Sequence, residues 1–310
     1  MTTLMDPTQT LKVFHSDSFP LPLPSGHRFP IDKYAMLRER LQSGGMKDRL
    51  EFCIPSAVTD DELLLVHTNE YLEKLQHGTL SSLEQRRIGF PWSPEMVERS
   101  RRSTGGTLGA ARAALTEGAG AHLAGGTHHA FADHGQGFCV FNDVAVTVRV
   151  LQAEQRIRSA VVIDLDVHQG NGTASIFLAD PSVFTFSMHG DKNFPFSKCN
   201  GDLDIALPKG TSDSTYLELL SEALARLPLS DVDIAFYLAG ADCYEHDRLG
   251  TLKLTQAGLL QRDEMVFQAC QTHHLPVALA MAGGYADNLE DIATIHCDTT
   301  EAMLKSWSPG

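Results

Sequence analysis

The stretch VVIDLDVHQGNG, from Val161 to Gly172, decides the fold class. It begins as a continuous apolar, β-branched run and then reaches Asp164, Asp166 and His168. An apolar run without alternation is typical of a strand that is buried on both faces of a parallel sheet. The segment therefore predicts a central strand with polar, reactive side chains at its carboxyl end.

Further apolar runs, each ending in polar or glycine-rich residues, occur on both sides of this segment. The predicted strands are His122–Ala124, Ala160–Leu165, Val183–Met188, Ile234–Ala239 and Val277–Ala282. Predicted helices lie between or before them, at Asp32–Gln42 with Asp32 as its cap, 94–117, Ser214–Arg226 and Thr255–Thr272. Residues 15–30 are proline-rich and are not expected to form a regular helix. Strands that alternate with crossover helices predict one doubly wound α/β domain with a parallel sheet.

Composition narrows the class of protein. The formal net charge of -14 is unfavourable for binding nucleic acid, because affinity for phosphates depends largely on Lys and Arg. The chain has six cysteines without a C-x-x-C pair, a pattern that fits reduced thiols better than disulfides. Neither a signal peptide at residues 1–10 nor an apolar run of the ~18 residues needed to span a membrane is visible. We expect a soluble, cytoplasmic protein that binds neither nucleic acid nor membranes.

The central segment carries the first candidate site. Asp164, Asp166 and His168 are spaced i, i+2, i+4, which in a strand would place all three side chains on one face. Charged groups at the end of a buried strand are costly unless they are paired or bind a cation. Carboxylate and imidazole are ligands of catalytic zinc. A hydrogen-bonded Asp/His network that caps the strand is the alternative.

A second cluster, Ala124–Asp143, contains the adjacent histidines His128 and His129 among glycines after a predicted strand. Imidazoles titrate near neutrality and serve as general acids and bases. The other histidine pair, His273 and His274, lies between a helix and a proline and is interpreted as surface.

Two more clusters follow later strands. In Ala235–Gly250, Asp242 can complete a site of two carboxylates and one histidine, or it can cap a helix. In Ala278–Asn288, Tyr285 follows a glycine pair, where its hydroxyl can donate to an oxyanion or simply pack in the core. Because the carboxyl ends of parallel strands share one edge, the four clusters together predict an enzyme site.

The segments GGTHHAFADHGQGFCVFND, DLDVHQGNG, AGADCYEHDRLG and GGY, in this order, resemble the histone deacetylase family of the arginase/deacetylase superfamily. The segment PLPSGHRFPIDKY and the short chain resemble its class IV and bacterial branch. The resemblance implies an arginase/deacetylase-like α/β domain, with a mostly parallel sheet of about eight strands and helices on both faces. We expect this single deacetylase domain over residues 11–310, after a flexible N-terminus at residues 1–10.

The resemblance also implies roles. Asp166, His168 and Asp242 would bind zinc, although two carboxylates and an imidazole also suit Fe²⁺. His129 would be the general base and His128 its partner. The remaining residues implied in catalysis are Asp164, which would orient His128, Asn171, which stands where some members have an aspartate beside His129, and Tyr285, the oxyanion donor.

Two further sites are implied by the resemblance. A narrow channel for the lysine stem would be formed by Gly137, Phe138, Phe194, Leu249 and Gly284, although Phe138 also fits plain core packing. A structural potassium ion would be bound by main-chain oxygens of Asp164, Asp166, His168 and Met188 and by the hydroxyl of Ser187.

The expected function is a zinc-dependent deacylase of N6-acyl-lysine in proteins or peptides. An acetylpolyamine amidohydrolase stays open, although Leu249 offers no carboxylate for a second ammonium group, whereas Glu245 and Asp247 lie nearby in sequence. The alternative that is not an enzyme is a non-catalytic acyl-lysine binding protein on the same scaffold. Acyl length, physiological substrate and oligomeric state do not follow from the sequence.

Overall fold

The apolar runs form one sheet in the computed structural model, which describes residues 10–307. The strands are β1 Leu11–Phe14, β2 Leu50–Cys53, β3 Ala119–His122, β4 Ala160–Asp164, β5 Val183–Gly190, β6 Leu203–Leu207, β7 Ile234–Leu238 and β8 Val277–Ala280. Their spatial order is β2-β1-β3-β8-β7-β4-β5-β6, and every neighbouring pair is parallel. The predicted parallel sheet of about eight strands is confirmed.

Helices cover both faces of this sheet. They are α1 Lys33–Ser43, α2 Asp60–Leu64, α3 Asn69–His77, α4 Ser82–Ile88, α5 Pro94–Glu117, α6 Asp143–Ala153, α7 Asn171–Ile176, α8 Asp213–Leu224, α9 Gln256–Thr272 and α10 Leu289–Trp307. Alternate residues of β4 pack into two separate cores. Val161 and Ile163 join the core under α8, α9 and α10, and Val162 joins the core under α5 and α6. The continuous apolar run thus reflects burial on both faces.

Several boundaries differ from the sequence expectations. The strands β1, β2 and β6 were not predicted, because they are short and β2 and β6 are partly exposed edge strands without a continuous apolar run. The strand predicted at His122–Ala124 lies earlier, because the small residues of Ala119–His122 pack directly against α5. Asp32 precedes α1, but its side chain makes no capping hydrogen bond. Of the predicted flexible N-terminus, residues 1–9 lie outside the described part of the chain.

The sheet order brings the four polar clusters together. Those clusters follow β3, β8, β7 and β4, which are consecutive neighbours in the middle of the sheet. Their carboxyl ends lie side by side, where ligands bind in parallel α/β sheets. Within residues 10–307, no helix is both long enough and apolar enough to cross a membrane.

Candidate active site

Three side chains converge beyond the ends of β4 and β7. Asp166 and His168 lie in the bend after β4, and Asp242 lies in a short 3₁₀ turn, Ala241–Cys243. One ligand atom from each lies within 4.8 Å of the others. The strand itself ends at Asp164, so the expectation that i, i+2, i+4 spacing in a strand aligns these side chains was wrong. The bend after the strand, rather than strand periodicity, brings the ligand atoms together.

The three groups fit a divalent cation. His168 Nδ1 lies 2.9 Å from Asp166 Oδ1 and 3.2 Å from Asp242 Oδ2. Asp242 Oδ2 is buried and accepts no hydrogen bond among the described residues. Burial, together with the charge of Asp166, raises the pKa of Asp242 to about 7. Two buried carboxylates with one imidazole form a donor set that suits zinc, and a bound cation would offset the cost of their burial.

Backbone contacts fix the two carboxylates. Asp242 Oδ1 accepts the amide hydrogen of Val167 at 2.9 Å, and Asp166 Oδ2 accepts that of Gly283 at 2.7 Å. A Cβ on Gly283 would lie 1.9 Å from Asp242 Oδ2 and 2.5 Å from Asp166 Oδ2. Glycine is therefore required there by close approach. Asp242 lies inside its turn, so the alternative of a helix cap does not describe it.

The first histidine of the tandem pair is bonded to a carboxylate. His128 Nδ1 lies 2.6 Å from Asp164 Oδ2, and both side chains are buried. Burial alone would lower the pKa of His128, but the charges of Asp164 and Asp166 outweigh it and raise that pKa to about 9. His128 is therefore held as a cation that faces the site.

The second histidine is bonded to an amide instead. His129 Nδ1 lies 2.8 Å from Asn171 Oδ1, and Asn171 Nδ2 donates to Gln136 Oε1 at 2.9 Å. Because the Asn171 amide nitrogen already donates to Gln136, its oxygen faces His129 and accepts the hydrogen on Nδ1. Nε2 of His129 then carries the lone pair. Burial and the positive charges of His128 and His168 hold the pKa of His129 well below its usual value.

Tyr285 borders the same cavity as the histidines. Its ring centroid lies 6.4 Å from that of His168. Its hydroxyl makes no hydrogen bond to any of residues 10–307, and the residue lines the cavity, so the hydroxyl is available to a ligand. The backbone amide of Tyr285 donates to Asp247 Oδ2 at 2.6 Å, and Lys33 Nζ donates to the carbonyl of Gly284 at 3.2 Å. These contacts fix the segment that presents the hydroxyl.

The predicted channel residues have different surroundings. A Cβ on Gly137 would lie 2.7 Å from the His129 ring and 3.1 Å from Phe194, so this glycine leaves space beside the histidine. Phe194 lies 5.0 Å from His129 between ring centroids, and Phe138 lies 6.0 Å from Tyr285. Phe194 therefore borders the site beside His129, and Phe138 borders it beside Tyr285.

Leu249 and Gly284 lie farther from the space for a substrate. A Cβ on Gly284 would meet Ile292 at 2.9 Å, so the absence of a side chain there serves packing against α10. The carbonyl of Leu249 accepts a hydrogen bond from Asn193 Nδ2 at 2.6 Å. Leu249 thereby holds the residue that precedes Phe194 in the chain.

The residues predicted to bind potassium lie on neighbouring strands. Ser187 of β5 pairs with Asp164 of β4 in the sheet register, and Met188 follows it. The Ser187 hydroxyl lies 3.0 Å from His189 Nδ1. Asp166 and His168 follow in the bend after β4. The potassium site stays a prediction.

Some residues that support the site were missed from the sequence. Asp143 accepts the amide hydrogens of Gly126 at 2.9 Å and Thr127 at 2.8 Å, and so holds the loop before His128. Asp143 is the last residue of the cluster Ala124–Asp143, but nothing in the sequence indicated that its carboxylate would bind the backbone amides of this loop.

A buried arginine supports the loops that carry the carboxylates. Arg262 of α9 donates from Nη1 to the carbonyls of Gly240 at 2.7 Å and Leu165 at 3.3 Å. Its charge is balanced by Asp263, whose carboxylate lies 2.8 Å away. No signal marked this residue, because an arginine within a helix is usually exposed.

Comparisons with known proteins agree with this geometry. The histone deacetylase domain family matches residues 27–302. The chain is 43% identical to an uncharacterized protein of Picosynechococcus sp. over 286 residues, covering 92% of this chain and 95% of that protein. It is 27% identical to histone deacetylase 2 of Arabidopsis thaliana over 316 residues, covering 93% and 80% of the two chains. The crystal structure of a histone deacetylase homologue from Aquifex aeolicus superposes with a TM-score of 0.81 at 24% identity, covering 97% and 84%.

The fold likeness, the family match and the arrangement of the site lead to one conclusion. The match spans most of the chain and contains His128, Asp166, Asp242 and Tyr285. The chain belongs to the histone deacetylase family.

Proposed function

We propose that this chain is a zinc-dependent amidohydrolase that removes acyl groups from N6-acyl-lysine in proteins or peptides. One observation carries the proposal. Asp166 and His168, which form a buried trio with Asp242, line the same cavity as the tandem histidines and Tyr285, whose hydroxyl makes no hydrogen bond to residues 10–307. Family membership implies a hydrolase of the deacetylase type, and this arrangement supports zinc as the metal and an acyl amide as the bond cleaved.

The metal and the two histidines have different roles in the proposed reaction. Zinc bound by the trio would act as a Lewis acid toward the amide carbonyl and the attacking water. His129 Nε2 accepts the proton of that water, because Asn171 holds the hydrogen of this imidazole on Nδ1. His128, bonded to Asp164, remains the proton-bearing neighbour and returns a proton to the leaving lysine amine.

Tyr285 stabilises the oxygen of the cleaved amide. Its hydroxyl donates to the carbonyl oxygen as that oxygen gains negative charge. The fixed backbone around Tyr285 means that this donor needs little rearrangement when the substrate binds. Preorganisation of this kind is the usual source of large rate effects.

A contact of Asp247 favours acyl-lysine over acetylpolyamines. Both oxygens of this carboxylate accept backbone hydrogens, from Tyr285 on one side and from Leu249 and Gly250 on the other. It is therefore occupied in holding the loop and is not free to bind a second ammonium group. The Leu249 side chain is apolar and offers no replacement.

The proposal includes Fe²⁺ as an alternative to zinc and a structural potassium ion. The donor set of two carboxylates and one imidazole also accepts Fe²⁺. The neighbouring positions of Asp164 and Ser187 on paired strands support a structural potassium ion at the base of the site.

The test is turnover of fluorogenic acetyl-lysine peptide by the purified protein, before and after a chelator and after added zinc. We expect activity that the chelator removes and zinc restores, and that Asp242→Asn abolishes. Asp231→Asn, which changes an exposed carboxylate on a distant loop, is the matched control and should remain active. Turnover of acetylspermidine but not of the peptide would show that the substrates are acetylpolyamines rather than acyl-lysine. Zinc binding without turnover of either would indicate a binding protein.

A further inference from the structure

The cavity that Asp166 and His168 line extends well beyond these two residues. It measures about 770 Å³, counting the part open to solvent. Beyond the histidines its lining reaches helix α5 and the segment before α1. The inner lining residues are Leu21, Phe29, Tyr34, Phe90, Arg99, Ser100 and Ser103. An acyl group whose carbonyl lies at the trio would extend into this inner part when the lysine stem lies beside Phe194, which packs against His129 and does not line the inner part.

Arg99 places a positive charge in this inner lining. The residue is only 7% exposed, and its Nη1 donates to the backbone carbonyls of Ser16 and Phe19. Among the described residues no carboxylate lies within ion-pair distance, 4.0 Å, of it. The acidic group nearest in sequence to these carbonyls, Asp17, is engaged by Arg38 at 2.8 Å and His15 at 2.7 Å.

The guanidinium retains unused donors. Nε and Nη2 of Arg99 make no hydrogen bond within residues 10–307. The hydroxyl of Ser103, one helical turn further on the same lining, also has no hydrogen-bond partner there. The Tyr34 ring lies 5.5 Å from the Arg99 guanidinium carbon, and Lys33 lies 5.1 Å from the same ring. Arg99 thus gives the inner lining a positive charge, although the whole chain carries a net charge of -14.

A buried cation with no carboxylate in contact is costly, and an anionic ligand would offset that cost. The walls between the trio and Arg99 include Leu21, Phe29 and Phe90, which suit methylene groups. Resting on the function proposed above, we propose that this enzyme prefers lysine acylated by a short dicarboxylic acid, of the succinyl or glutaryl class. Arg99 and Ser103 bind the distal carboxylate of that acyl group.

The reaction is then the hydrolysis of an acidic amide. The C–N bond between the acyl carbonyl and the lysine Nε breaks, and a C–O bond to water forms. His129 takes a proton from the attacking water and His128 gives one to the leaving amine, so that overall both hydrogens of the water end on the lysine ammonium group and the other product is a free dicarboxylate. No oxidant, reductant or further co-reactant is needed.

The kinetic test compares peptides that differ only in the distal group, N6-glutaryl-lysine and N6-valeryl-lysine, with N6-acetyl-lysine as the reference. We expect the wild type to show the higher kcat/KM for the glutaryl peptide. Arg99→Met should lower kcat/KM for that peptide by about 10- to 100-fold, since it removes charge-assisted hydrogen bonds, and should leave the acetyl value within a few-fold.

Because Arg99 also holds the segment at Ser16 and Phe19, a second variant keeps that contact. Ser103→Asp places a carboxylate beside the guanidinium and should cause the same selective loss. Arg102→Met, on the same helix but outside the cavity lining, is the matched control. Turnover of acetyl and valeryl peptides with no preference for glutaryl, or a preference that survives both Arg99→Met and Ser103→Asp, would overturn the inference and leave the proposed function standing.

Calorimetry decides the same question without turnover. Glutarate should bind the purified protein at least tenfold more tightly than valerate, and Arg99→Met should remove the difference. If no peptide is hydrolysed, the proposed function fails, whereas an Arg99-dependent preference for glutarate still supports the cationic acyl site. Equal binding of glutarate and valerate refutes that site.

Discussion

Gly283→Ala tests the proposal that the trio of Asp166, His168 and Asp242 binds a metal ion, because this glycine keeps the space beside its two carboxylates open. An added Cβ would lie 1.9 Å from Asp242 Oδ2, about 1.5 Å short of ordinary contact, which begins near 3.4 Å. Asp166 Oδ2, at 2.5 Å, is crowded as well. Metal sites tolerate ligand displacements of only about 0.2 Å, so the carboxylates would leave their binding positions.

We expect zinc affinity to fall by at least about 100-fold, since the displacement reaches the ligands themselves rather than their outer partners. Overpacking should lower the free energy of unfolding by roughly 1–3 kcal/mol, measured by denaturant titration. Zinc affinity is measured by competition with a chromophoric chelator. Gly45→Ala is the control, because a Cβ there meets nothing within 4 Å. Wild-type zinc affinity in Gly283→Ala would refute the assignment of both carboxylates as ligands.

Three further predictions concern catalysis and stability. Tyr285→Phe should keep zinc but lose about 100- to 1000-fold in kcat, as expected for one oxyanion donor, and near-normal turnover would exclude this role. Asn171→Leu should lower kcat by about 10- to 100-fold by freeing the His129 tautomer, with zinc content as the control. Burial lowers the pKa of His67 and of His122 to about 4 from 6.5. Below pH 6.5 the unfolded chain therefore binds protons that the folded chain does not. The free energy of unfolding should fall between pH 6.5 and 4, by about 3 kcal/mol per histidine, and each histidine's share should be absent from its His→Gln variant.

The sequence predicted the parts of the fold that depend on burial within one segment. The run before Asp164 is apolar throughout because both faces of β4 are covered, and such a run is visible without a structure. The polar residues that follow each central strand could also be identified from the sequence, because each group of them ends an apolar run. Their convergence then followed from the shared edge of a parallel sheet.

What the sequence could not supply is tertiary burial of charged groups. Arg99 and Arg262 lie in helices and look like solvent-facing residues, yet both are buried and bonded to backbone carbonyls of distant segments. The amide of Asn171 illustrates the same limit. The resemblance placed this amide beside His129, but its orientation depends on Gln136, which lies 35 positions away in the chain.

The place of β8 in the sheet has a consequence for how the chain can be divided. Three strands, β2, β1 and β3, form one side of the sheet, and β7, β4, β5 and β6 form the other. The last strand in the chain, β8, pairs with β3 on one side and β7 on the other and is the link between them. During synthesis the tandem histidines and the proposed zinc ligands therefore belong to separate half-sheets until residues 277–280 have emerged. A truncation before Val277 would leave two unjoined fragments of sheet with exposed edges, so the shortest active unit is close to the whole domain.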